Sequence, residues 1–349
     1  MDKICPTQKK RRTTMFKSEL CKLCGTCLTG CQWMDVTQEQ AIIWQGTMLR
    51  GESTPVLEQC ITCYACNERC PQDANPFDLH CELQEKYQSL VPQQSVAGME
   101  AYYAFAGELR NLPQADRVLS ACMYEKSEPA LIEGKLYDLP RVGGKPFFCW
   151  GLFSHMGAST VQRKHAQEFV DRLAMTGAKE VVCFHVDCYS MLAATIPDFG
   201  IQVPFRPIHL AEYLVEKLTA DKTRVKPLNL AIAYQRPCAS RHTPEIEPKI
   251  DELFALTGAR RVEREYDREK ALCCTSVKLM YNKGNDVADR EENILDAKKA
   301  GAQCIVYFCP VCRQMLEDIA AKHGLPMVFL GDLARMAIGE IPTPKMVSI

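Results

Sequence analysis

The sequence predicts an α+β multidomain chain in which a helical, cysteine-bearing unit precedes a duplicated α/β unit. Three observations carry this reading. Two cysteine runs repeat one spacing between residues 21 and 70, and after Pro140 short apolar runs alternate with helical stretches. Residues 164–192, slid forward by 124, then fall on residues 288–316 with 8 identities in 29 positions.

In the amino-terminal unit, "CKLCGTCLTGC" supplies Cys21, Cys24, Cys27 and Cys31, and "CITCYACNERCP" supplies Cys60, Cys63, Cys66 and Cys70. Both read C-x2-C-x2-C-x3-C. Three closely spaced thiolates wrap one face of an iron–sulfur cluster while the fourth reaches across to its neighbour. This assigns one cubane 4Fe-4S cluster to Cys21, Cys24, Cys27 and Cys70, and a second to Cys60, Cys63, Cys66 and Cys31. A pair of zinc knots is the alternative, but zinc needs four ligands and has no use for two matched four-cysteine runs. Pro71 follows the second run, whereas Gln32 stands at that place after the first. Between and after the runs, "MDVTQEQAIIW" and "NPFDLHCELQEKYQSLV" predict helical turns rather than long alternating strands.

Residues 91–140 read as a helical linker, with "VAGMEAYYAFAGELRN" as one helix and Pro113, Pro129 and Pro140 interrupting anything longer. Cys81 and Cys122 have no partner spacing and read as packed thiols. A first α/β repeat is expected over residues 141–219, with strand-like "KPFFCWGLF" and "EVVCFHV" on either side of the helix "AQEFVDRLAMTGA". A second is expected over residues 220–349, with "LNLAIAYQ" and "CIVYFCPV" around "REENILDAKKAGA". The identities between the repeats are Glu168, Gly177, Ala178, Val182, Phe184, Cys188, Met191 and Leu192 with their counterparts. They cluster where a helix turns into a strand and its following loop.

The second repeat carries more chemistry. Cys238 is followed by 34 residues, then the adjacent Cys273 and Cys274, then 34 more, then Cys309 and Cys312 in "CPVC". Cys238 and Cys309 each follow a strand-like run, and ligands of open α/β domains collect beyond the carboxyl ends of strands. The competing reading is an ordinary core pair at 273–274 beside a redox dithiol or half a zinc site. In the first repeat, His185 aligns with Cys309 and Cys188 with Cys312, and no adjacent pair occurs. His185, Cys188, Cys183 and Cys149 are candidates there for a small metal site, with buried thiols and a hydrogen-bonded histidine as the alternative.

These motifs carry a family resemblance. The amino-terminal array resembles the helical ferredoxin domain of heterodisulfide reductase C subunits, over residues 15–90 within a domain reading of 1–90. The pattern of one cysteine, an adjacent pair and a C-x2-C resembles the cysteine-rich CCG domain of the B subunits. The resemblance implies a helical domain with two 4Fe-4S clusters followed by a duplicated CCG-type domain. It further implies one non-cubane 4Fe-4S cluster on Cys238, Cys273, Cys274, Cys309 and Cys312. Thr275 departs from the family, which usually has glycine there, and the first repeat is a degenerate copy. The expected role is an iron–sulfur electron-transfer subunit of an anaerobic oxidoreductase complex. Its partners would be a flavoprotein or other oxidoreductase subunits, or a soluble ferredoxin. A thiol–disulfide reductase acting at the non-cubane cluster is the alternative, and no catalytic residue is assigned.

Composition sets bounds on function. The chain has 349 residues, 20 of them cysteine, and a formal charge of −1 from 42 basic and 43 acidic residues, which gives no general electrostatic case for nucleic acid. The run "KKRR" at 9–12 is a local exception that reads as a solvated terminus or a docking tail. "MDKICPTQKK" has no apolar signal-peptide region and no run of 18 apolar residues occurs, so the expectation is a cytoplasmic protein that meets a membrane only through a partner. Reduced thiols that ligate soft metals suit that compartment better than disulfides. "GKPFFCWG" is no phosphate loop, "GLFSHMG" lacks the context of a dinucleotide site, and His155, His165 and His209 have no defined partner in the sequence.

Overall fold

The computed structural model describes residues 15–281 and 287–344; the basic run at 9–12 and Cys5 lie outside them. Residues 18–103 form a helical layer. Its longer helices are Gln38–Leu49, Pro76–Tyr87 and Gln93–Tyr103. Local chemistry sets their starts. Thr37 Oγ1 accepts from the Gln40 N–H while Gln40 Oε1 accepts from the Thr37 N–H, a reciprocal capping box. Pro76 occupies the first position of its helix, where a missing N–H is not felt.

Two four-stranded parallel sheets follow. The first contains β1 (Arg117–Ser120), β2 (Arg141–Val142), β3 (Glu180–Cys183) and β4 (Arg206–His209), in the order β2-β1-β3-β4. The second contains β5 (Leu230–Gln235), β6 (Ala259–Arg261), β7 (Cys304–Tyr307) and β8 (Met327–Phe329), in the order β6-β5-β7-β8. Strand for strand, the orders are the same, and β3 and β7 stand 124 residues apart as the sequence repeat requires. Central strands read as continuous apolar runs because helices cover both faces of a parallel sheet; every residue of β7 is buried. The helices Leu210–Ala220 and Glu247–Thr257 pack on each other and join the repeats, and one hydrophobic core runs from Tyr64 and Phe77 through both.

Two expectations are corrected. β1 lies inside the stretch read as a helical linker over 91–140, so the first sheet begins ahead of residue 141. Its four residues are too short to stand out by periodicity and become a strand through pairing with β2 and β3. "KPFFCWGLF" is not a strand. Gly144 and Trp150 hold left-handed backbone, φ 74° and 63°, which breaks an extended path into the turn Lys145–Phe147 and the helical turn Leu152–His155.

Candidate metal centre

In the second repeat β5 and β7 are neighbours, with β6 outside one and β8 outside the other. The two strands stay paired to their last residues, Gln235 and Tyr307, and the connections that leave them run to opposite sides, which opens a crevice at the switch point. Cys238 lies three residues beyond β5, Cys309 two residues beyond β7, and Cys312 sits in the first turn of the Pro310–Lys322 helix. The loop before the Ser276–Met280 helix delivers Cys273 and Cys274 to the same place. Cys238 Sγ lies 3.2 Å from Cys273 Sγ, and the contacts continue from Cys273 to Cys274, to Cys312 and to Cys309. All five thiols thus join in one chain of sulfur contacts, with no disulfide among them.

How adjacent cysteines serve one centre follows from the backbone. Thr275 is in the left-handed region, φ 57°, and its N–H turns back to Cys273 Sγ at 3.4 Å. A β-branched residue is unusual there, and glycine would take that conformation freely. Thr275 Oγ1 accepts from Arg290 Nη1 at 2.9 Å, a bond that glycine lacks.

Sulfur neighbours divide the thiols electrostatically. Hydrogen bonds from Cys273 and Cys312 hold Cys274 well below the ordinary thiol range, and Cys312, with His185 adding to it, lowers Cys309 to about 6. Cys273 and Cys312 are pushed up by their own sulfur neighbours and by burial. Five thiolates this close cannot all ionise without a cationic centre to compensate them. The donor set therefore fits an iron–sulfur cluster.

The amino-terminal runs repeat each other in conformation as well as spacing. Leu23 and Gly25 are left-handed in the first, φ 53° and 73°; Thr62 and Tyr64 hold the matching places in the second, φ 56° and 61°. Burial raises Cys27 to about 12, and Cys70, Cys21 and Cys24 act on it in the same direction. Burial also raises Cys66, with Cys60, Cys63, Cys27 and Cys31 adding to it. Cys70 is thus close enough to Cys27, and Cys31 to Cys66, for their charges to be felt across the two runs. Cys63, raised to about 11 chiefly by burial, also feels Cys238 of the second repeat.

An ion pair that no motif announced locks the array to that repeat. Glu68, between Cys66 and Cys70, receives Arg236 Nη2 at 2.7 Å and also Arg241, the two arginines that flank Cys238. Side-chain exposures of 3%, 4% and 10% place the group in the interior.

In the first repeat, Cys122 does not stand alone. Its Sγ, with those of Cys149 and Cys188, forms a group whose members all lie within 4.8 Å. Cys183 does not join them; its thiol turns to the Val181 carbonyl at 3.7 Å inside the core. Cys81 is a packed thiol directed at the Ser154 carbonyl. The missed signal was β1, because without that strand Cys122 has no counterpart to Cys238. The three histidines that had no defined partner in the sequence gain one: His155 Nδ1 meets Thr62 Oγ1 at 3.0 Å, His165 pairs with Glu100 and stacks on Trp150, and His209 caps a helix.

This architecture defines a class, a duplicated cysteine-rich α/β protein whose thiols gather at the carboxyl ends of parallel strands. Residues 232–317 match the CCG family, described as a cysteine-rich domain. The chain is similar to components of heterodisulfide reductases. It is 29% identical over 186 residues to the D subunit of the dihydromethanophenazine:CoB–CoM heterodisulfide reductase of Methanosarcina barkeri, covering 51% of this chain and 46% of that one. With the B subunit of the ferredoxin:CoB–CoM heterodisulfide reductase of Methanosarcina mazei it shares 26% over 161 residues, covering 38% and 51%. A probable iron–sulfur-binding oxidoreductase of Bacillus subtilis is 27% identical over 171 residues, 47% and 23% of the two chains. The chain spans about half the length, or less, of these curated relatives. A crystal structure of a hypothetical protein from Helicobacter pylori aligns over 79% of this chain and 60% of that one, with TM-score 0.59 and 14% identity, a likeness of fold.

Proposed function

We propose that the chain is an iron–sulfur electron-transfer subunit of a heterodisulfide reductase-like oxidoreductase complex. The observation that carries this is the convergence of Cys238, Cys273, Cys274, Cys309 and Cys312 at the switch point of the second sheet. These five would hold a non-cubane 4Fe-4S cluster. Cys21, Cys24, Cys27 and Cys70 would hold one cubane cluster, and Cys60, Cys63, Cys66 and Cys31 another. When bound, such clusters supply one-electron donation and acceptance.

The chain's own residues position and insulate these centres. Glu68 with Arg236 and Arg241 holds the second cysteine run against the Cys238 turn, so the array and the second repeat form one packed unit. Burial of Cys273, Cys274 and Cys312 at 7%, 4% and 3% excludes water. A flavoprotein or another oxidoreductase component would exchange electrons with the chain; the similarity to relatives that are themselves subunits supports a place in a larger assembly. No described helix is long and apolar enough to cross a membrane. A relay is favoured over direct disulfide reduction because none of the five cysteines lines the cavities of about 380 and 590 Å³.

Anaerobic purification with iron and sulfide quantification and electron paramagnetic resonance tests the reading. About 12 iron atoms per chain are expected from three four-iron clusters. Cys273→Ser should remove about four of them and one signal. Eight iron atoms, with a spectrum unchanged by that substitution, would overturn the non-cubane assignment.

A further inference from the structure

The two cysteine sets of the helical layer differ in their surroundings. Cys31, Cys60, Cys63 and Cys66 all line one cavity, so the thiols assigned to the second cubane cluster share a single space. Burial is the largest influence on each of the four and raises them all. In the other set Cys24 is lowered instead, by hydrogen bonds from Thr26 that outweigh burial. The Cys31, Cys60, Cys63 and Cys66 site is therefore the inner one. It is also the one beside the second repeat, since Cys63 feels the charge of Cys238.

His80 reaches this cavity from the Pro76–Tyr87 helix. It stands three residues beyond Phe77, so helical spacing puts both rings on one face. His80 is 1% exposed, and neither of its ring nitrogens has a hydrogen-bond partner. Buried polar groups are almost always bonded, and a position that served packing alone would avoid the cost by carrying leucine. Burial lowers the imidazole to about 4, so at neutral pH it is uncharged and has one N–H to give. Trp33, two residues past Cys31, repeats the pattern. It lines the same cavity, and its Nε1 is buried without a partner. Arg69 lines the cavity as well, and against burial its charge favours the Cys31 thiolate.

On the reading that Cys31, Cys60, Cys63 and Cys66 hold a cubane cluster, we propose that His80 donates a hydrogen bond to it, with Trp33 as a second donor. This makes the inner cluster the higher-potential cubane of the two. Hydrogen bonds to cluster sulfur favour the reduced state, because that state carries one more negative charge. One electron then passes downhill: the outer cluster is oxidised as the inner one, beside the second repeat, is reduced. His80 is a tuning residue that ligates no iron.

The test is potentiometric titration of the full chain, purified anaerobically with its iron in place and followed by electron paramagnetic resonance. Two cubane midpoints are expected. His80→Leu should lower the higher one by at least a tenfold change in its reduced-to-oxidised ratio, about 59 mV for one electron, and leave the lower one in place. His80→Gln keeps an N–H and should restore most of the shift, which a packing role would not do. Unchanged midpoints in His80→Leu, movement of the lower midpoint alone, or equal shifts in the two variants overturns the proposal. If His80→Leu loses iron, pulsed paramagnetic resonance of the unaltered protein, isotopically labelled at the histidine nitrogens, decides. Coupling of a histidine nitrogen to the reduced cubane of higher midpoint supports the bond, and its absence overturns it. Iron and sulfide content reads whether the cubane clusters are present, and the midpoint at full iron content reads His80, so the two can fail separately.

Discussion

His185 and Cys309 hold the same place in the two repeats, 124 residues apart, and they meet, with Nε2 3.8 Å from Sγ. Burial works against a charged imidazole here, but Asp187, Cys309 and Cys122 raise His185 to about 9, which leaves an N–H for the sulfur at neutral pH. Hydrogen bonds to cluster sulfurs favour the reduced, more negative state. His185→Leu is therefore expected to lower the reduction potential of the centre proposed on Cys309, on the order of 100 mV for a lost charge-assisted bond. Potentiometric titration followed by electron paramagnetic resonance measures this; an unchanged or higher midpoint with full iron content would refute it.

Thr275 combines a disfavoured backbone with a useful hydroxyl. Thr275→Gly relieves about 1–2 kcal/mol of left-handed strain and gives up a charge-assisted bond of similar size, so stability should stay within about 1 kcal/mol. Thr275→Ala loses the bond and keeps the strain, a loss of about 1–3 kcal/mol. Denaturant midpoints of the two holoprotein variants should fall in that order, and equal midpoints would remove the backbone from the account.

Glu68 neutralises two interior arginines. Despite the opposing effect of desolvation, Arg236 and Arg241 hold its carboxyl below the ordinary range. Glu68→Gln leaves Arg236 with Glu247 at 3.4 Å and Arg241 with only the carbonyls of Glu269 and Ala271, and should destabilise by about 2–4 kcal/mol. Proteolysis should then cut between residues 70 and 117 sooner than in the unaltered protein. Because the carboxyl is depressed in the folded state, its contribution is present above the unfolded pKa and is lost as pH falls through the folded one. Proteolysis at the unaltered rate would show that the pair does not hold the array in place.

His209 is fully buried, its Nδ1 accepting the Ala211 N–H at 3.1 Å as the cap of the Leu210–Ala220 helix. Burial lowers it to about 3. The unfolded residue takes up its proton near pH 6.5 and the folded one does not, so stability falls as pH drops through that window. Between pH 6.5 and 5.5 this residue should remove about 1 kcal/mol. His209→Asn keeps a capping side chain and should flatten the dependence by that amount in thermal melts at several pH values. Parallel slopes would assign the loss to other groups.

The cysteine spacings made much of the site legible. C-x2-C-x2-C-x3-C twice, then one cysteine, an adjacent pair and a C-x2-C, name thirteen residues without any structure. Cys122 stayed hidden because β1 is four residues long and acquires its identity only from strands on either side. Cys183 misled because a strand cysteine one residue short of the turn points into the core, while the residues just past the strand point into the crevice.

The sequence by itself determined the number, type and order of the sulfur donors, and the duplication that arranges them, because ligand spacing and a residue repeat are local quantities. Only the tertiary structure decided which thiols meet. The pairing β2-β1-β3-β4 brings Cys122 to Cys149 and Cys188, Glu68 reaches across to Arg236 and Arg241, and His185 faces its own counterpart in the other repeat. Those contacts join residues as far as 173 positions apart in the chain, and packing alone brings such positions together.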